Sequence, residues 1–241
     1  MTCCRLSRSS AVAACLLYAG LLAACNSHEP ATSSQPAASA APAVAEGASQ
    51  HRSNPVASRP RIVILGDSLT AGLGLSPDEA YPSLLQERLD KEGLKYEVIN
   101  AGVSGDTSAG GLARLDWALE GDVRVLIVAL GGNDGLRGLP AEELKGNLSK
   151  IIEQAQKRHI QVILAGMEAP PNFGQSYIVS FHQVYPELAR QYNIPLVPFL
   201  LQGVAGNDAL NQRDGIHPTA KGAHILADNI WPVLRPMLTT S

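Results

Sequence analysis

Arg61-Ile-Val-Ile-Leu-Gly-Asp-Ser-Leu69 decides the fold, because it joins an apolar run directly to a glycine-containing turn. Ile62–Leu65 has no polar position, which is typical of a parallel strand buried on both faces. Gly66 and Asp67 follow at once, so we predict a strand-to-helix turn that points the hydroxyl of Ser68 out of the sheet. Helix N-capping is the alternative role for this serine, because serine is a preferred N-cap residue.

Strand and helix patterns alternate through the rest of the chain. The further strands are predicted at Tyr96–Asn100, Val123–Leu130, Gln161–Ala165 and Pro195–Phe199. The first longer helix is predicted to begin at Pro77, within a Ser76–Glu79 capping box. Further helices are predicted at Ala109–Leu119, Pro140–Arg158, Ser176–Tyr192 and Ala220–Leu238, the last with an interruption near Pro232. This order predicts an α/β fold, a three-layer α/β/α sandwich with a five-stranded parallel sheet. Ligands of such folds bind beyond the carboxyl ends of the strands.

The N-terminal segment is predicted to be an export signal followed by a tether. Residues 1–24 combine two arginines with an apolar run too short to span a membrane comfortably. Leu22-Ala-Ala-Cys25 resembles the bacterial lipobox, in which the cysteine is acylated; cleavage after Ala24 by the ordinary signal peptidase is the alternative. Residues 25–59, rich in Ala, Ser and Pro, are predicted to form a disordered tether, and residues 60–241 the folded domain.

Charge and cysteine usage exclude several classes of protein. The formal net charge of -3 does not suit a nucleic-acid-binding protein. All 4 cysteines lie within the first 25 residues, so the predicted domain has no disulfide, cysteine-based metal site or thiol nucleophile.

A serine, an aspartate and a histidine stand in an order that suits an activated nucleophile. Asp214 lies three residues before His217 in a turn that contains glycine, so its carboxylate could orient the imidazole while the other ring nitrogen takes the Ser68 proton. The alternative is that Asp214 only stabilises the turn and that His217 is a loop histidine with no catalytic role. Thr70 stands where the G-x-S-x-G elbow has its second glycine, which disfavours the α/β-hydrolase fold.

Two glycine-rich clusters after the second and third strands could stabilise an oxyanion. Gly102 could expose a backbone N–H group, and Asn133 could donate from its side-chain amide. Turn formation is the alternative explanation of both clusters, because Gly, Asn and Asp are common turn residues. After the fourth strand, Pro170 and Phe173 suit an apolar wall for a substrate, although turn formation also explains them.

The clusters around Ser68, Gly102, Asn133 and His217, in this order and spacing, resemble the SGNH (GDSL) hydrolase superfamily. The resemblance extends over about residues 60–238. The resemblance is strongest to the bacterial thioesterase/lysophospholipase/arylesterase branch, in Ser104-Gly-Asp-Thr107, Gly131–Gly138 and Asp214–Pro218. It implies a flavodoxin-like fold and a serine hydrolase of acyl and aryl esters, with thioesters or lysophospholipids as further substrates. The implied roles are nucleophile for Ser68, base and acid for His217, orienting carboxylate for Asp214, and oxyanion donors for Ser68, Gly102 and Asn133.

Asp67 and Asp134, with Pro170 and Phe173, are predicted to contact the substrate. No metal or organic cofactor is expected, and no nucleic-acid partner. The protein is expected to be a monomer held to a membrane through lipidated Cys25, exported to the cell envelope on the outer-membrane or periplasmic side. Two alternatives stay open: a carbohydrate O-deacetylase of the same superfamily, and a non-catalytic lipid-binding lipoprotein.

Overall fold

The computed structural model describes residues 59–238. The predicted signal segment, Cys25 and nearly all of the tether lie outside the described residues. Within residues 59–238, no helix is long and apolar enough to cross a membrane.

A five-stranded, fully parallel sheet forms the centre of the domain, in the order β2-β1-β3-β4-β5. The strands are β1 (Arg61–Gly66), β2 (Glu97–Gly102), β3 (Val123–Ala129), β4 (Gln161–Ala165) and β5 (Leu196–Val197). The apolar run of β1 is almost completely buried, as its composition predicts. The chain reverses its direction of travel across the sheet between β1 and β3, which is where ligands bind in this type of fold.

Helices cover both faces of the sheet. They are α1 (Ser68–Ala71), α2 (Tyr81–Lys91), α3 (Ser108–Ala113), α4 (Leu115–Ala118), α5 (Gly132–Leu136), α6 (Ala141–Lys157), α7 (Gln175–Tyr192) and α8 (Ala220–Leu234). Helix α2 packs with α8, and α6 packs with α3 and α7. The apolar stripe of α6 is fully buried, which confirms the helical period read from its sequence. The three-layer sandwich is therefore confirmed.

The capping-box prediction at Ser76–Glu79 is wrong about where the helix begins. The side chain of Glu79 does accept the Ser76 N–H at 3.1 Å, and Glu79 N–H returns to Ser76 O at 3.0 Å. These bonds close a single turn, because Ala80 is extended and α2 begins only at Tyr81. Tyr81 is buried and its hydroxyl contacts the Thr70 hydroxyl at 2.6 Å, so tertiary packing sets the start of this helix.

Three other boundaries also differ from the sequence prediction. The predicted helix at 109–119 is broken at Arg114, whose side chain leaves the helix surface to bond elsewhere. Strand β5 has two residues because the prolines on either side have no N–H group to donate. Pro232 does not interrupt α8, which continues to Leu234, because the buried face around it holds the helix in place.

Candidate active site

Ser68 is the first residue of α1, directly beyond the carboxyl end of β1. Asp67, not Ser68, is the N-cap: its carboxylate accepts the Leu69 N–H at 3.0 Å. This excludes N-capping as the role of Ser68 and leaves its hydroxyl free for another partner. Gly66 makes the tight turn possible, because a side chain there would collide with the hydroxyl of buried Thr70.

The turn Asp214–His217 is closed by its own aspartate. Asp214 Oδ1 accepts the N–H groups of Ile216 at 2.9 Å and His217 at 3.0 Å, and Gly215 takes the positive φ of 70° that this turn requires. The other carboxylate oxygen, Oδ2, lies 2.7 Å from His217 Nδ1. One side chain therefore holds both the backbone and the imidazole ring.

These hydrogen bonds lower the pKa of Asp214 from 3.8 to about 2, with the His217 N–H as the largest cause, then the imidazole and the Ile216 N–H. The carboxylate is consequently ionised at any pH near neutrality, although its side chain is 44% exposed. An ionised acceptor favours the tautomer in which Nδ1 carries the proton and Nε2 has a free lone pair.

His217 connects this turn to Ser68, 149 residues away in the chain. Its Nε2 lies 2.9 Å from Ser68 Oγ, within hydrogen-bonding distance. The structure thus brings Ser68, His217 and Asp214 together in one continuous chain of hydrogen bonds, as the sequence predicted for their positions.

The environment of Gly102 contradicts its predicted role as an oxyanion donor. Its N–H donates to the side-chain oxygen of Asn100 at 3.0 Å, and the residue does not line the cavity at Ser68. Gly105, three residues later, does line that cavity, with a positive φ of 86°. Among the described residues no acceptor is bonded to the Gly105 N–H. The run Ser104-Gly-Asp-Thr107 was singled out in the sequence, but nothing local distinguished its glycine from Gly102.

Asn133 lies at the start of α5 and lines the same cavity as Ser68 and Gly105. Its Nδ2 donates to the backbone oxygen of Asp106 at 3.0 Å and contacts Asp67 Oδ2 at 3.3 Å. The second bond is long, so it is easily exchanged for a stronger acceptor in the cavity. Asn133 and Gly105 line the cavity together with Ser68, whose own N–H has no intrahelical acceptor because it begins α1.

Asp67 is buried beneath the nucleophile, with 2% of its surface exposed. Burial raises its pKa from 3.8 to about 6, although the Leu69 N–H, the Asn133 amide and the His217 charge act in the opposite direction. It lines the cavity floor, so the structure leaves its predicted contact with substrate open.

Asp134 does not reach the cavity, so its predicted contact with substrate is wrong. Its buried carboxylate accepts the Ser108 N–H at 2.8 Å and the Ser108 hydroxyl at 2.6 Å. Asn147 donates to the same hydroxyl at 3.0 Å. This network joins α5, α3 and α6, and its role is structural.

A mainly apolar cavity of about 560 Å³ opens above Ser68. Its apolar walls are Leu69, Leu73, Leu136, Met167, Ala169, Pro170, Pro171, Phe199, Leu201, Ala205 and Ile216. Pro170 is therefore placed as predicted. Phe173 is not: it lies outside this lining, packing against Tyr177 with a ring-centroid distance of 5.4 Å.

Arg114 and Asp106 form an ion pair next to the site that the sequence did not reveal. Arg114 Nε donates to Asp106 Oδ2 at 2.6 Å, and Nη2 donates to the backbone oxygen of Gly66 at 2.8 Å. The pair ties the end of β1 to the loop that carries Gly105 and the carbonyl bonded to Asn133. Among residues 59–238, no group of three or more His, Cys, Asp or Glu side chains is arranged to hold a metal ion.

Comparison with known proteins identifies similar chains. The model of the GDSL-like lipase/acylhydrolase family matches residues 64–225. The esterase TesA of Pseudomonas aeruginosa is 45% identical over 178 residues, which are 73% of this chain and 89% of that protein. The thioesterase 1/protease 1/lysophospholipase L1 of Escherichia coli is 38% identical over 178 residues, 73% of this chain and 84% of that protein. A crystal structure of TesA superposes with a TM-score of 0.71 at 45% identity, covering 74% of this chain and 99% of the other.

Proposed function

This chain belongs to the GDSL-like lipase/acylhydrolase family and is a serine ester hydrolase; we propose that Ser68, His217 and Asp214 carry out its reaction. The observation that carries this assignment is the unbroken hydrogen-bond chain from Asp214 through the imidazole to the Ser68 hydroxyl, at the floor of an apolar cavity. The fold brings these residues together from opposite ends of the domain.

The reaction proceeds as two acyl transfers. Ser68 Oγ attacks the ester carbonyl while His217 Nε2 takes its proton, and ionised Asp214 stabilises the imidazolium that forms. Nε2 then gives the proton to the leaving alcohol, which leaves an acyl group on Ser68. Water, deprotonated by the same nitrogen, attacks the acyl carbonyl, and Ser68 recovers its proton as the carboxylic acid departs.

The negative charge of each tetrahedral intermediate is assigned to three donors. These are the N–H of Ser68, the N–H of Gly105 and the side-chain amide of Asn133, so Gly105 replaces Gly102 in the original prediction. The support is their shared position on the cavity wall and the uncommitted N–H of Gly105. Such donors are effective because they are already oriented before charge develops.

The cavity favours an acyl chain as the bound part of the substrate. Leu73, Leu136 and Ile216 present exposed apolar side chains along its walls, and burying such side chains against a hydrocarbon chain is favourable. We therefore propose carboxylic esters of medium acyl chains as the main substrates, with thioesters and lysophospholipids as further ones, in keeping with the names of the relatives.

Hydrolysis of p-nitrophenyl butyrate tests the reaction. Wild-type protein is expected to turn over this ester and to be labelled covalently by a fluorophosphonate probe, whereas Ser68→Ala is expected to do neither. Turnover by Ser68→Ala at the wild-type rate would refute the assignment. A wild-type protein that binds fatty acids but resists the probe would instead be a non-catalytic lipid-binding protein.

We also propose that lipidated Cys25 holds the protein, as a monomer, at the cell envelope. The support is the Leu22-Ala-Ala-Cys25 sequence with its basic and apolar leader. Metabolic labelling with an alkyne-tagged fatty acid is expected to mark the wild-type protein and not Cys25→Ala. An unlabelled wild-type protein recovered in the soluble periplasmic fraction would refute the anchor, and light scattering of the domain tests the monomer.

A further inference from the structure

Glu168 lines the apolar cavity, three residues beyond the end of β4. Its side chain carries a carboxylate and is 34% exposed. Two other ionisable residues, Asp67 and His217, line the cavity, and both belong to the catalytic floor. No lysine or arginine within residues 59–238 lines it. Neither Asp67 nor Glu168 takes part in the proposed reaction, but Asp67 is buried beneath Ser68 with 2% of its surface exposed, whereas Glu168 is partly exposed.

The basic groups around this part of the cavity stand outside its lining. His182, on α7, places its Nδ1 2.7 Å from a Glu168 carboxylate oxygen, and His182 itself does not line the cavity. Arg137 is likewise absent from the lining, and its Nη2 donates to the Gly105 carbonyl at 2.8 Å. The cavity thus combines apolar walls with one accessible negative charge.

We propose that Glu168 is a cation-recognition subsite, which makes the enzyme favour esters that carry an ammonium group over matched anionic esters. The proposal rests on the proposed function, because the cavity is that of the acyl-transfer site. Apolar walls lower the local dielectric, so the carboxylate attracts a cation and repels an anion more strongly than it would in open water. The hydrocarbon part of the same ligand occupies the apolar lining.

A purely structural role for Glu168 makes a different prediction. In that case the bond to His182 would only fasten the loop after β4 to α7. Glu168→Gln separates the two roles, because it keeps an acceptor oxygen for His182 and removes only the charge. His182→Ala is the converse variant, since it removes the fastening and keeps the charge.

Competitive inhibition of p-nitrophenyl butyrate hydrolysis measures the subsite without assuming which end of an ester carries the cation. The probes are hexyltrimethylammonium and hexanesulfonate, which share an alkyl tail and differ in charge. We expect wild-type protein to bind the ammonium probe more tightly. Glu168→Gln is expected to reduce the ratio of the two inhibition constants about fivefold, the effect of one partly exposed charge pair.

The controls decide between the readings. Two control variants are His182→Ala and Glu87→Gln, the second of which removes a charge on α2 outside the cavity lining. Both are expected to leave the ratio of the two inhibition constants within about twofold of wild type. Glu168→Lys is expected to bind the sulfonate probe more tightly than the ammonium probe. An unchanged ratio in active Glu168→Gln, or an equal loss in His182→Ala, would overturn the subsite. Failure of the wild-type protein to hydrolyse p-nitrophenyl butyrate would instead count against the proposed function.

Discussion

Replacing Arg114 tests whether the ion pair beside the site positions the catalytic loops or only stabilises the fold. The guanidinium spans two points: Asp106, adjacent to Gly105, and the carbonyl of Gly66, one residue before Asp67. Both partners of the ion pair are largely buried, with 17% and 18% of their side chains exposed. Arg114→Met removes the bridge and leaves the carboxylate of Asp106 buried without its partner.

The stability cost follows from these contacts. Removing one member of a buried ion pair costs about 3–5 kcal/mol. Arg114 Nη1 is itself buried without a partner in the described structure, so removing it returns about 1 kcal/mol. We expect urea unfolding to show a net loss of about 2–4 kcal/mol. Arg124→Met, which breaks the exposed pair with Asp122, is the matched control and is expected to cost less than about 1 kcal/mol.

A second substitution separates stability from positioning. Asp106→Asn added to Arg114→Met removes the unpaired charge, so the unfolding free energy is expected to recover by about 1–3 kcal/mol. The turnover number for p-nitrophenyl butyrate is expected to stay about 10- to 100-fold below wild type with little change in KM, because a small displacement of the oxyanion donors is costly. A double variant that regains both stability and turnover would refute a positioning role.

Three further predictions concern single residues. Asp214→Asn is expected to keep the turn, because its side-chain oxygen still accepts the two backbone N–H groups, yet to lower kcat about 10³- to 10⁴-fold because the amide favours the wrong imidazole tautomer; normal unfolding with wild-type turnover would contradict this. The pKa of Asp67 is raised in the folded protein, so protonated Asp67 stabilises the fold at low pH and this stabilisation is lost as pH rises through about 6. Between about pH 3 and pH 7, the unfolding free energy of Asp67→Asn is therefore expected to rise by about 3 kcal/mol relative to that of the wild-type protein. A difference that stays constant across this pH range would contradict the prediction. Leu136→Ala is expected to raise KM for an octanoyl ester more than for an acetyl ester, because it removes part of the apolar cavity wall. Phe173→Ala, at a residue outside that lining, is expected to leave the KM ratio of the two esters unchanged. If both variants changed this ratio equally, the assignment of the cavity wall would be wrong.

Much of this site was accessible from sequence because its chemistry is local. A buried strand that ends at Gly66 must release Ser68 at the carboxyl edge of the sheet, and Asp214 can reach His217 within one turn. The contact between that turn and Ser68, across 149 residues, followed only from a recognised arrangement of motifs. The choice between Gly102 and Gly105 was out of reach, because it depends on a single hydrogen bond that the Gly102 N–H donates to the side chain of Asn100.

The amino-acid sequence by itself determined where the hydrophobic strands lie along the chain, which residues form the apolar stripe of α6, and which residue types are available for acyl transfer. Each of these depends on neighbours a few positions away. Tertiary structure alone decided the rest. It directed Asp134 inward to Ser108 and Phe173 onto Tyr177, and it placed Glu168 on the cavity wall. Long-range packing sets which way a side chain points, and in this protein it separates the groups that meet the substrate from those that hold the fold.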